Sequence, residues 1–129
     1  MPLLLDTCTL LWLSMDLAQL SPQASQAITT HANDLFVSSI SALEISTKFV
    51  RGRLELPKDP AEWFRAVLKH HGVEQVPINF QIASQAGKLP PLHKDPFDRL
   101  IVATAWEYRM TIVTPDHQIR QYPDTEHLW

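Results

Sequence analysis

At 129 residues the chain is long enough to bury a real core, and residues 1–129 read as one domain. Its 45% hydrophobic and 19% charged content is an ordinary globular mix, and no apolar run approaches the ~20 residues that span a bilayer, so no membrane partner is expected. The net charge of −3 runs against the basic balance usual in nucleic-acid binders, an objection that loses weight if several acids share one site with metal cations.

In chain order, Pro2 to Leu5 reads as a buried strand running into a helix from about Thr9. Ser21-Pro22 places a capping hydroxyl before a first-turn proline, so a helix follows to about His31. Leu35 to Ser38 is a second strand, and Ile40, Leu43, Ile45, Thr47 and Val50 stand near helical spacing in a helix ending around Gly52. Asp59-Pro60 opens another helix, with Trp63, Phe64, Val67 and Leu68 on its apolar face and Gly72 at its close. Val73 to Ile78 is a strand, Asn79 caps a short helix to about Gly87, and Leu89 to Leu92 is a stiff, proline-bearing loop. Asp95-Pro96 opens the best-marked helix, reaching about Tyr108. A β-branched strand, Thr111 to Thr114, a short helix from His117 to Gln121 and a strand from Glu126 to Leu128 complete the chain. Strands alternating with helices, without hairpin signals, give an α/β fold with a parallel sheet covered on both faces.

Ligands of such sheets bind beyond the carboxyl ends of the strands. Asp6 follows Leu3-Leu4-Leu5 and Asp116 follows the strand ending at Thr114, so both fall at one sheet edge. Glu44, between apolar Leu43 and Ile45, lies early in a helix leaving the second strand and close to a buried face; Asp98 lies in the first turn of the helix capped by Asp95. Each acid also has a local explanation: Asp95 and Asp98 as a helix cap pair, Asp6 as a turn residue, Asp116 as a cap. Together they form a repelling cluster, since two like charges 4 Å apart repel by about 4 kcal/mol at an effective dielectric of about 20. Such a cluster takes up protons or holds a cation, and all-oxygen ligation suits Mg²⁺ or Mn²⁺. Metal held there can activate water and neutralise charge on a phosphodiester.

Four segments carry a resemblance: Leu3-Leu4-Leu5-Asp6-Thr7, Ser39 to Ile45, His93-Lys94-Asp95-Pro96-Phe97-Asp98-Arg99-Leu100-Ile101, and Ile112-Val113-Thr114-Pro115-Asp116. In this order they resemble the PIN domain, and more narrowly the VapC-type toxins of bacterial toxin–antitoxin pairs. The resemblance covers the whole chain. It implies a three-layer α/β/α sandwich with a central, mainly parallel sheet and Mg²⁺- or Mn²⁺-dependent cleavage of RNA. It assigns Asp6, Glu44, Asp98 and Asp116 to the catalytic, metal-binding quartet, with Asp95 as an added acid and Thr114 as the hydroxyl residue before the last one. It also implies a homodimer and a cognate antitoxin. Cys8 departs from the pattern, standing where close relatives often carry a polar residue or His.

Other residues divide between roles. Lys48 and Arg51, four and seven positions after Glu44, share its helical face; with Arg53, Lys94 and Arg99 they are candidates for RNA phosphates, against a solvated face with i,i+4 pairing. Arg99 is alternatively a support for the Asp98 carboxylate. His93 reads as a loop anchor or proton shuttle, and His70-His71 as cations at a helix end. Trp12, Trp63 and Phe64 read as core or interface, while Trp106 and Trp129 have no assignment. The lone Cys8 cannot form an internal disulfide and reads as a small buried hydrophobe. The stretch Met1 to Leu13 lacks a basic start and carries Asp6, which argues against a signal peptide and for the cytoplasm. The competing functions are a phosphatase or phosphotransferase with Asp6 as nucleophile, and a non-catalytic partner-binding module. Lack of an acid two positions after Asp6 counts against the first.

Overall fold

The computed structural model describes residues 1–92 and 94–129. Strand β1 (Leu3–Leu5) leads into helix α1 (Thr7–Met15), then α2 (Pro22–Thr30), β2 (Leu35–Ser38) and α3 (Ile40–Val50). Helix α4 (Pro60–His71), β3 (Glu74–Val76) and α5 (Phe80–Lys88) follow, and α6 (Pro96–Tyr108), β4 (Thr111–Val113), α7 (His117–Arg120) and β5 (His127–Leu128) close the chain. The sheet runs β3-β2-β1-β4-β5, and every pairing among the described residues is parallel. None of the helices there is long and apolar enough to cross a membrane.

The period-two alternation of strand side chains separates two apolar layers. Leu3, Leu5, Leu35, Val37 and Val113 face one side, where they meet α1, α2 and α4 through Leu10, Ala24, Ile28, Trp63, Phe64 and Val67. Leu4, Phe36 and Ile112 face the other, against Ile82 and Ala86 of α5, Ile101, Val102 and Ala105 of α6 and Ile119 of α7. The expected three-layer sandwich is thus realised. Leu3, Leu4 and Leu5 are each fully buried, at about 1.5–3 kcal/mol of burial apiece, which explains an apolar run too continuous for an edge strand.

The proline-bearing caps behave as the sequence indicates: Ser21, Asp59 and Asp95 each accept a hydrogen bond from a first-turn amide of α2, α4 and α6, and Gly72 ends α4 with φ +66°. Strand β3 stops at Val76 short of the expected Ile78, because Pro77 has no amide to add to the ladder. Helix α1 starts at Thr7, two residues earlier than expected, since Asp6 itself serves as its cap; a short 3-10 turn, Leu17–Gln19, follows it without a signal in the sequence. In α3 helical spacing points two positions the wrong way: Ile45 is fully buried, but Leu43 is 53% and Val50 82% exposed. Trp63 and Phe64 are in the core, and Trp12 packs on it with its ring centroid 5.6 Å from that of Trp129.

Candidate active site

The register fixes the edge on which the acids gather. Leu5 pairs with Val37 on one side and Val113 on the other, so the residues after β1, β2 and β4 emerge side by side. A cleft of about 210 Å³ there is lined by Asp6, Thr7, Cys8, Glu44, Lys48, Asp95, Asp98 and Asp116. All four quartet candidates and the added acid therefore share one concavity.

Asp6 is the deepest, at 4% exposure. As N-cap of α1 it accepts from the Thr9 amide at 2.9 Å, a local reason for an acid at a strand-to-helix junction. The Cys8 thiol donates to the same carboxylate at 3.3 Å, and the Thr114 hydroxyl donates to its Oδ2. Burial pushes the Asp6 carboxyl above its ordinary range, while the bonds from Thr114, Thr9 and Cys8 oppose that rise.

Thr114, fully buried, couples two acids. Its hydroxyl has one proton to give and gives it to Asp6; its oxygen accepts the Asp116 amide at 3.0 Å. Asp116 in turn caps α7 by accepting from the Gln118 amide at 2.8 Å. Two further hydroxyl links have no counterpart in the sequence reading. Thr9 donates to the Val113 carbonyl at 2.9 Å, tying α1 to β4, and Thr7 meets Ser41 at 2.9 Å, tying α1 to the first turn of α3 and so setting where Glu44 stands. Nothing local announces them, because the partners are 104 and 34 residues apart.

Glu44 is half-buried, and it has a partner: Lys48 Nζ lies 3.5 Å from its Oε2, one helical turn on. Lys48 thus takes up the i,i+4 pairing weighed against its RNA role, while Arg51 and Lys94 are exposed and do not line the cleft. Asp95 accepts from the Phe97 amide at 2.9 Å as cap of α6, and Asp98 stands in that helix's first turn. Arg99 serves the scaffold. Its guanidinium donates to the carbonyls of Ala86 at 2.7 Å, Leu89 at 2.9 Å and Pro90 at 3.0 Å, pinning the end of α5 and the loop beyond it. Cys8 corrects the reading of it as a buried hydrophobe, since it is half-buried and lines the acid cleft. Burial, then the Asp6 charge and hydrogen bond, push its thiol upward, so it stays a neutral donor. The His93 reading lies outside the described residues. His70 and His71 stack edge-on at the end of α4, and burial, then His70, lowers the His71 imidazole. A larger hollow of about 500 Å³, lined by Trp106, Arg109, Met110, Asp124 and Glu126, lies by the starts of β4 and β5 and holds none of the quartet.

The donor set fits a hard divalent cation: oxygens throughout, apart from one neutral thiol. No group of three or more Asp, Glu, His or Cys side chains among the described residues stands ready to hold an ion as arranged. Mg²⁺ commonly retains several waters, so direct ligation by every acid is not required.

The PIN-domain pattern matches residues 3–124. Ribonuclease VapC22 of Mycobacterium tuberculosis is 37% identical over 120 residues, covering 92% of this chain and 90% of that protein. The fold also matches solved structures at low identity. One is VapBC2 from Rickettsia felis bound to a promoter DNA fragment (TM-score 0.73, 15% identity, 99% of this chain and 98% of that one). Another is DNA-bound VapBC from Salmonella typhimurium (TM-score 0.69, 16% identity, 99% and 97%). With an acid cleft at the carboxyl edge of its parallel sheet and a family match over nearly its whole length, the chain belongs to the PIN-domain family.

Proposed function

We propose that residues 1–129 form one PIN domain that acts as a Mg²⁺- or Mn²⁺-dependent endoribonuclease, the toxin of a toxin–antitoxin pair in the cytoplasm. The observation that carries this is the meeting of Asp6, Glu44, Asp98 and Asp116 in one cleft, in a chain 37% identical to a named ribonuclease. In this reading those four carboxylates hold the metal, with Asp95 beside them. A divalent ion bound there supplies the charge that activates water and stabilises a phosphodiester under attack.

The chain's own groups prepare that site. The Thr9 amide and Thr114 hydroxyl fix both oxygens of Asp6, and Thr114 holds Asp116 in register with it. The Thr7–Ser41 bond sets the α3 turn that presents Glu44. Burial makes the ionised form of Asp6 costly in metal-free protein, a cost a cation relieves. Arg51 and Lys94, exposed on the surface, remain candidates for RNA phosphates. The partners in this reading are RNA, a second copy of the chain and a cognate antitoxin; the VapBC proteins among the structural neighbours support the last. Position 8, two residues after Asp6, is Cys8 rather than an acid, which counts against a phosphotransferase with Asp6 as nucleophile.

Purified chain incubated with a mixed RNA substrate should cleave it with Mg²⁺ or Mn²⁺, stop on chelation and resume on metal return. Asp6→Asn and Asp98→Asn should each slow cleavage by at least about 100-fold, the effect of losing about 3 kcal/mol of charge stabilisation at 1.36 kcal/mol per tenfold. Variants that cleave as fast as the parent would refute the assignment.

A further inference from the structure

Among the described residues lining the acid cleft, five are carboxylates and one is a cation, Lys48. Its ammonium stands 3.5 Å from Glu44 Oε2, and the two side chains are 41% and 19% exposed. On an open helix face an i,i+4 pair of this kind contributes little. This pair instead borders a concavity whose other charges are negative. The ammonium therefore sits within the acid cleft as well as beside its helical neighbour. Lysine suits this position: a compact charge on a flexible four-carbon stem holds a carboxylate without fixing a two-point geometry, and it can swing away.

We infer that Lys48 is a tethered counter-cation, which holds Glu44 and offsets part of the cleft's charge in the metal-free protein and competes with a divalent ion for that carboxylate. This rests on the metal-nuclease reading of the site. It gives Lys48 a role set by the acids rather than by RNA. Bringing five carboxylates together costs less while one of them is paired, and an incoming ion meets a Glu44 carboxylate whose charge is already partly answered at Oε2. Metal affinity is thus weaker than the acid count alone would set.

The test is calorimetric titration of metal-stripped full chain with Mn²⁺ at low ionic strength, in the parent, Lys48→Met and Lys48→Arg. Lys48 is part-exposed, so both variants should fold, which thermal unfolding verifies. Removing a competing unit charge a few ångströms from the ligands should tighten Mn²⁺ binding about three- to tenfold in Lys48→Met. Lys48→Arg should stay within about twofold of the parent, and added salt should narrow the gap between Lys48→Met and the parent. A folded Lys48→Met that binds Mn²⁺ no more tightly than the parent overturns the counter-cation. So does a Lys48→Arg that tightens as much as Lys48→Met. A parent that takes up no Mn²⁺ overturns the metal reading itself, and this inference with it.

Discussion

Thr114→Val is the sharpest probe of how the site is held together. Valine has nearly the shape of threonine, so the fully buried pocket at residue 114 is refilled and the change is almost purely one of hydrogen bonding. Two bonds vanish: the hydroxyl's donation to the buried Asp6 carboxylate and its acceptance of the Asp116 amide at 3.0 Å. A bond to a charged group contributes about 1.5–3 kcal/mol and an unpaired, part-buried amide costs about 1 kcal/mol, so the expected loss is about 2.5–4 kcal/mol. That is a large share of the ~5–15 kcal/mol that holds a typical domain together. Thr114→Ser keeps both bonds and removes one buried methyl, at about 1 kcal/mol. Urea unfolding of the metal-free protein at neutral pH measures both. The pH dependence adds a second check. Without its donor, ionised Asp6 is dearer still, so the deficit of Thr114→Val should shrink as the solution is acidified and Asp6 takes up its proton. If Thr114→Val falls within about 1 kcal/mol of Thr114→Ser at neutral pH, the hydroxyl bridge is not what orders the two acids.

Other outcomes follow from the same geometry. Because the folded carboxyl of Asp6 lies above its unfolded value of 3.8, its contribution to stability is present below that value and is lost as pH rises through the folded one. Metal-free protein should therefore melt at lower temperature at neutral than at mildly acidic pH; Asp6→Asn should flatten that difference, and parallel melting profiles would contradict the burial argument. Arg99→Met removes three carbonyl contacts and should cost about 2–4 kcal/mol in urea while speeding amide exchange at Leu89 and Leu92; Arg99→Lys, lacking the planar fork, should recover only part of it. The Cys8 thiol, pushed upward by burial and Asp6, should react with iodoacetamide far more slowly at pH 8 in the folded protein than in urea, and equal rates would show the thiol to be open.

The parts of the fold written in short-range patterns were legible in the sequence. Caps with a following proline at Ser21, Asp59 and Asp95 marked three helix starts, and Leu3-Leu4-Leu5 announced a strand covered on both faces. The placement of Asp6 and Asp116 followed from strand ends alone, and the structure brings both to the same cleft. What stayed hidden depends on partners distant in sequence. Helical spacing assigned Leu43 inward, but which side of α3 is covered depends on its neighbours, and Leu43 is exposed. Nothing near Arg99 reveals that its guanidinium answers carbonyls from 9 to 13 residues earlier. The apolar context of Cys8 suggested packing, whereas one turn of helix delivers its thiol to Asp6.

The bond between Thr114 and Asp6 joins residues 108 apart, and it spans the two neighbouring strands at the middle of the sheet. A chain made from its amino end therefore carries Asp6 and Glu44 for most of its synthesis without the strand that completes their surroundings. The cleft comes into being only when β4 slots in beside β1. Val113 of β4, with Leu128 and Trp129 beyond it, also belongs to the core layer under α1, α2 and α4, so loosening the β4–β5 margin would open the cleft and loosen that layer together.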